Sequence, residues 1–393
     1  MRPTTPLKLI LVLATSCLSQ KDCSALRSSG KESSLGSSQT KIYQPGFYQV
    51  LRGSLISRRA TYRFKIPVQR AGERMRVVFQ AGQGLLQLHA AGVRRPADSQ
   101  PTPIKFGGRP GFEAEASQKV GSDPVAISIQ RGDEIGIAFE IEGAVAANSF
   151  DRFPDGSTEP GSHVFDPPSS ASAPFRRGIG LVSIEIEGAG GRAIVAIGDS
   201  ITEGFITGHD DLRDGWPAVA QAMLGLPVVT AAVSGQGVDE ALKSLEGDVS
   251  SIGGITDCVV LLGTNDLADH PDTYIATRLE TLGHRLRSSC QVWIGTILPK
   301  EWTPRGSYPL VEQRRQGVND WLKKSNARVI DFDSALRDPA SPNRLMPGAG
   351  ADGIHLSKRG HQLVARKLVE ALGIPAGTPP NGDFAGRAAL AHE

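Results

Sequence analysis

The second half of the chain alternates between two kinds of segment, and that alternation constrains its fold more than any other feature. Short, continuous apolar runs occur at Ala193–Ile197, Val228–Val233, Val259–Leu262, Val292–Ile297 and Val329–Phe332. A strand that is apolar on both faces must be covered on both faces, which is the situation of a parallel sheet between helical layers. Between the runs lie stretches with helical periodicity, at about 215–224, 237–246, 272–287 and 309–324. A last helix is expected over 358–372, where Leu363, Val364, Leu368 and Leu372 fall on one face and Gly373 and Pro375 close the end. Strand–helix alternation of this kind predicts an α/β fold for residues 189–373, a doubly wound parallel five-stranded sheet.

Residues 41–188 follow a different period. Ile135, Ile137, Phe139 and Ile141 alternate with polar or small residues, as do Val182, Ile184 and Ile186, and Ile127 with Ile129. Period two with one polar face marks half-buried strands. Tyr62–Ile66, Met75–Phe79 and Leu85–His89 read as earlier strands. The expectation is a β-sandwich or jelly-roll domain preceding the α/β domain. Residues 143–178 carry little periodicity and read as a long loop or insertion.

In an open α/β sheet, ligands bind beyond the carboxyl ends of the strands, and the reactive residue types cluster there. The first parallel strand runs into Gly198-Asp199-Ser200-Ile201-Thr202, which puts Ser200 where a nucleophile would sit. A serine in that turn can equally serve as a helix N-cap. It is not the G-x-S-x-G elbow, because residue 202 is Thr. The second strand ends at Ser234-Gly235-Gln236-Gly237, the third at Gly263-Thr264-Asn265-Asp266, and Asp352-Gly353-Ile354-His355 follows near the C-terminus.

These four blocks, in this order, resemble the SGNH family of GDSL-type serine hydrolases over about 192–372. The resemblance implies the SGNH hydrolase fold and a carboxylic ester hydrolase working through an acyl-enzyme. It implies Ser200 as nucleophile, His355 as base and Asp352 as the group that orients His355. It also implies an oxyanion hole made of the main-chain N–H groups of Ser200 and Gly235 and the side-chain amide of Asn265. Asp199 is expected to brace the turn and Asp266 to act as a cap. Phe106–Pro110, Gly121–Val125 and Gly132-Asp133 are similar to the β-domain that precedes the catalytic domain in some secreted bacterial GDSL esterases. The function expected on these grounds is an exported serine esterase acting on short-chain, chiefly acetyl, esters of carbohydrates or small molecules. An acyltransferase or a lipase using the same triad, and a non-catalytic glycan-binding protein, are the competing readings.

Other motifs carry less. Gly348–Gly353 matches G-x-G-x-x-G, but a loop with Pro347 precedes it where a dinucleotide site needs a strand. His209, Asp210, Asp211 and Asp214 read as a polar loop beside the nucleophile, so neither a metal nor a cofactor is expected. His361 is expected to be a surface or partly packed residue. Trp216 and Trp302 flank the site loops, either as packing or as pocket lining.

At the N-terminus, Arg2 and Lys8 precede a short apolar run and small residues at 14 and 16, so residues 1–25 read as a signal peptide or lipoprotein signal. The lipoprotein reading places a lipid anchor on Cys17. Residues 26–40 are a Ser-rich linker, and 374–393 a Gly/Pro/Ala-rich tail expected to be disordered. Forty-three Lys and Arg against 41 Asp and Glu leave a net charge of +2, which gives no footprint for nucleic acid. No run of 18 apolar residues provides a transmembrane span.

Four cysteines are too few for a disulfide scaffold. Cys258 and Cys290, however, each stand five residues before a Gly-Thr pair. If their strands are parallel neighbours in matching register, the two are level and close enough to bridge. Two buried free thiols are the alternative.

Overall fold

The computed structural model describes residues 41–207 and 210–374. The expected leader, linker, Cys17, His209 and the tail beyond 374 lie outside the described residues.

The described residues first build an antiparallel sheet of twelve strands. These are β1 (Lys41–Tyr48), β2 (Gly53–Pro67), β3 (Gly72–Arg94), β4 (Thr102–Ile104), β5 (Phe112–Ala114), β6 (Lys119–Gly121), β7 (Val125–Ile129), β8 (Glu134–Asp151), β9 (Ser157–Pro160), β10 (Ala173–Pro174), β11 (Arg177–Ile179) and β12 (Leu181–Ala189). The main path runs β1-β12-β3-β8-β2-β9-β10. Met75–Phe79 and Leu85–His89, which read as two strands, are parts of the single strand β3. Its first half pairs with β12 and its second half with β8, with the register broken between Ala81 and Leu86. One strand thus serves both ends of the sheet, and the inward residues meet in one core with Val77, Ile184 and Ile186 from one side and Phe64, Phe139 and Ile141 from the other.

About half of the segment 143–178, which read as a loop, is strand. β8 continues to Asp151, and β9, β10 and β11 follow. The alternation disappears at Ala144, Val145, Ala146 and Ala147 because all four are buried, so no face of the strand stays polar.

After Ala189 the pattern changes to five parallel strands, β13 (Ile194–Gly198), β14 (Val228–Ala232), β15 (Asp257–Leu261), β16 (Gln291–Gly295) and β17 (Val329–Ile330), in the order β14-β13-β15-β16-β17. Among the described residues seven α-helices accompany them: α1 (Ser200–Glu203), α2 (Trp216–Leu224), α3 (Val238–Leu245), α4 (Asp272–Leu286), α5 (Tyr308–Lys324), α6 (Phe332–Leu336) and α7 (Lys358–Leu372). Successive residues of β13 point to opposite layers. Val195 and Ile197 pack with α3, α4 and α5, whereas Ile194 and Ala196 pack with α2, α6 and α7. The first of these layers also contains Tyr48, Leu51, Ala146 and Val182 of the antiparallel region, so the two regions share a core. Among the described residues no helix is long and apolar enough to cross a membrane.

The strand order reverses between β13 and β15. In doubly wound sheets this switch point opens a crevice at the carboxyl ends of the strands. Here the segments carrying Ser200 and Asn265 leave the sheet on either side of it.

Cys258 and Cys290 form a disulfide with a Cα separation of 5.8 Å. They are not level, however. β15 and β16 are parallel neighbours, but Cys258 pairs with Val292, so Cys290 lies two residues out of register and the bridge runs diagonally. The equal spacing to the Gly-Thr pairs was therefore a poor guide to register, although the pairing itself forms.

Candidate active site

β13 ends at Gly198, and Asp199 caps the short helix α1 by accepting the Ile201 N–H at 3.0 Å. This sharp turn presents Ser200 at the mouth of the sheet, 9% exposed. Ser200 Oγ lies 3.0 Å from His355 Nε2. His355 Nδ1 lies 2.8 Å from Asp352 Oδ2. A carboxylate at Nδ1 requires the proton there, which leaves Nε2 as an acceptor for the serine hydroxyl. The His355 and Asp352 side chains are 20% and 30% exposed, so the site opens to solvent.

Asp352 and His355 sit on one tight turn just before α7. Asp352 Oδ1 accepts the main-chain N–H groups of Ile354 (2.9 Å) and His355 (2.7 Å), and Thr207 Oγ1 donates to Oδ2 at 3.2 Å. Burial by itself would raise the Asp352 carboxyl. The bonds from the His355 ring and from the main chain outweigh it and bring the group down to about 2. Gly353 has φ +83°, and a Cβ there would come within 2.9 Å of Trp302. Trp302 in turn donates its indole N–H to the Asp352 carbonyl at 2.7 Å and leaves the ring 46% exposed beside the turn.

The structure also brings the second and third blocks together. Asn265 Nδ2 donates to the Gln236 carbonyl at 3.0 Å. An amide has two N–H groups, so this bond fixes the side chain and leaves the second donor for a substrate oxygen. Gly235 adopts φ +80°, with nothing within 4 Å of where a Cβ would stand. Asp266 accepts the Val238 N–H at 3.1 Å and so caps α3, as expected.

Several residues that sequence reasoning passed over support these groups. Glu203, three residues after the serine, accepts both the main-chain N–H and the Oγ–H of Ser234 at 2.8 Å, tying the Ser200 turn to the Gly235 loop. Lys300, beyond the end of β16, donates to the Thr264 carbonyl at 3.1 Å, next to Asn265. Burial pushes Asp199 up to about 7 and Lys300 down to about 8, and each charge opposes the shift of the other. Phe205 packs edge-on against the His355 ring at 4.5 Å. Glu203 was detectable from the i, i+3 spacing on a helix. Lys300 was detectable from the rule that strand ends carry the site.

Two expectations need correction or refinement. His361 is not a surface residue. It is fully buried and accepts the Trp216 N–H through Nδ1 at 3.1 Å. Trp216 itself is buried against Phe332 and belongs to the packing.

The geometry supplies a hydroxyl, a base in contact with it, a carboxylate that orients the base, and a fixed amide donor across the crevice. That constellation suits acyl transfer to a serine. Residues 196–363, which include all of these groups, match the GDSL-like Lipase/Acylhydrolase family. No curated protein matches the chain. Among solved structures, the chain is similar to a lipase/acylhydrolase from Enterococcus faecalis at 21% identity, with 49% of this chain and 100% of that chain covered and a TM-score of 0.39. It is also similar to a variant of an acetyl xylan esterase from Geobacillus stearothermophilus at 22% identity, with 48% and 98% covered and a TM-score of 0.37.

Proposed function

Because the C-terminal half of the chain is a GDSL-like lipase/acylhydrolase domain, and so a carboxylic ester hydrolase, we propose that the protein is an exported serine esterase that removes short acyl groups, acetyl above all, from carbohydrate or small-molecule esters. The observation that carries this reading is the continuous hydrogen-bonded line from Ser200 Oγ through His355 to Asp352.

Ser200 Oγ attacks the ester carbonyl while His355 Nε2 takes its proton. Asp352, ionised throughout, stabilises the imidazolium that forms. The carbonyl oxygen gains negative charge and is met by the N–H groups of Ser200 and Gly235 and by Asn265 Nδ2, each donor being worth roughly 2.7–4 kcal/mol. His355 then hands the proton to the departing alcohol, leaving the acyl group on Ser200. Water, activated by the same histidine, releases the acid and restores the serine.

The solvent exposure of His355 and Asp352 supports water as the acceptor over a second alcohol. Trp302 supports a sugar ester. Its indole N–H is committed to Asp352, so the ring is held beside the site as a flat apolar face of the kind a sugar ring covers. The Cys258–Cys290 bridge supports export, since disulfides persist in oxidising compartments. Initial rates on a panel of acetylated oligosaccharides and of p-nitrophenyl esters from acetyl to long-chain test the reading. The acetyl esters should be fastest, and a preference for long chains would overturn it.

A further inference from the structure

The end of β8 brings the antiparallel region up to the active site. Phe150, near the end of β8, and Arg152, just beyond it, both meet the α/β region. Phe150 packs edge-on against Phe205 at 5.3 Å, and Phe205 packs against the His355 ring. Arg152 is 5% exposed and lines, with Thr202 and Glu203, a cavity of about 30 Å³ behind the serine helix. Its main chain is held by Arg176 on one side and by Leu212 of the loop after α1 on the other, at 2.8 Å each.

Glu203 is the hub of this arrangement. A buried carboxylate is costly unless it is paired, and burial does push its carboxyl upward. What opposes burial is, first, the charge of Arg152, then the two bonds from Ser234 and a main-chain bond from Ser149 of β8. Arg152 is likewise strongly desolvated, and Glu203 is its charged counterpart. Ser234 donates to Glu203 twice, and Gly235, the adjoining residue, carries one of the proposed oxyanion donors.

We infer that Arg152, from the antiparallel region, is a positioning residue for catalysis, acting through Glu203 to hold the Ser234–Gly235 loop at the oxyanion hole. The antiparallel region is then part of the active site and not an appended module. The inference rests on the serine-esterase reading above. While Glu203 is ionised, one oxygen receives both Ser234 donors. Once it is protonated, that oxygen accepts less well and the loop loosens. Removing Arg152 raises the carboxyl further and extends the protonated form to higher pH.

The test is the pH dependence of kcat and KM for p-nitrophenyl acetate in the full chain, with Arg152→Met, Arg152→Lys, Glu203→Gln and the Arg152→Met/Glu203→Gln pair. Arg152→Met should lower kcat by roughly 10-fold or more, short of the roughly 10²–10³-fold cost of losing a donor outright, with KM little changed. Its rate relative to wild type should recover as pH rises, and Arg152→Lys should restore most of it. Glu203→Gln should lower kcat wherever wild-type Glu203 is ionised, with no recovery relative to wild type as pH rises, and the double variant should show the same loss. Wild-type kcat in folded Arg152→Met, or a loss that is equal at every pH, would overturn the inference. If Arg152→Met does not fold, wild-type kcat in Glu203→Gln would overturn it just as well. Ser200→Ala serves as the reference. Activity in that variant would refute the esterase reading itself, whereas a silent Ser200→Ala beside a normal Arg152→Met would refute only the role of Arg152.

Discussion

Asp352 holds His355 at two points, with its Oδ2 2.8 Å from the ring Nδ1 and its Oδ1 accepting the His355 main-chain N–H at 2.7 Å. One carboxylate thus sets both the turn and the tautomer. Asp352→Asn keeps an oxygen for the turn but offers an N–H to the ring, which favours the wrong tautomer. By analogy with other triads, kcat should fall by up to roughly 10⁴-fold while the fold persists. Steady-state kinetics with circular dichroism checks this, and a loss of less than about 10-fold would mean that something else orients His355.

The same pair fixes the sign of the pH profile. His355 must be unprotonated at Nε2 to take the Ser200 proton, so the rate falls with acid. Asp352, brought down to about 2, stays ionised through that fall. A log kcat/KM plot should therefore show its acid limb well above that value. A limb that first appears near 2 would track Asp352 and contradict a histidine base.

Asn265 gives one amide proton to Gln236, which fixes the other in place before substrate arrives. A preorganised donor acts mainly on charge that develops in the transition state. Asn265→Ala should therefore lower kcat by roughly 10²–10³-fold with a small change in KM. A change confined to KM would place Asn265 on the ground-state substrate.

His361 offers a stability test away from the chemistry. Burial, with a smaller contribution from the charge of His355, brings its ring down to about 4, opposed by the nearby Phe205 main chain, which favours the protonated ring. The unfolded chain therefore binds the proton first as pH falls below the ordinary histidine value of about 6.5. Stability should fall as pH drops from about 6.5 to about 4, by up to roughly 3 kcal/mol, and this term should be fully lost below that. Urea unfolding across the window should show the slope. His361→Asn, which keeps an acceptor for the Trp216 N–H, should abolish it.

The Cys258–Cys290 bridge spans 32 residues of sequence. In the chain-entropy description a loop of that size is worth about 3–4 kcal/mol. The bridge lies at the amino ends of β15 and β16, away from Ser200. The Cys258→Ala/Cys290→Ala variant should melt at lower temperature with unchanged kcat. A large fall in kcat at a temperature where the variant is folded would show coupling that this geometry does not provide.

The α/β half was legible because its signals are local. The apolar runs and α7 follow from burial on two faces and on one stripe. Ser200, Gly235, Asn265, Asp352 and His355 sit at strand ends or on one turn, where topology and chemistry coincide. What escaped depends on contacts distant in sequence. β3 read as two strands because a register break interrupts its alternation at Ala81–Leu86. The end of β8 read as a loop because both its faces are covered. Register between β15 and β16 sets Cys258 opposite Val292, a long-range pairing that equal offsets to Gly-Thr do not encode. His361 and Arg152 are polar residues that only the tertiary fold buries, so no periodicity marks them.

The central claim is that Ser200 is the nucleophile, and covalent labelling tests it most directly. A p-nitrophenyl phosphonate incubated with the full chain should release one equivalent of p-nitrophenol, and peptide mapping should find the phosphonyl group on Ser200. Ser200→Ala should take no label and show no turnover. A label on another residue, or normal turnover by folded Ser200→Ala, would contradict the account.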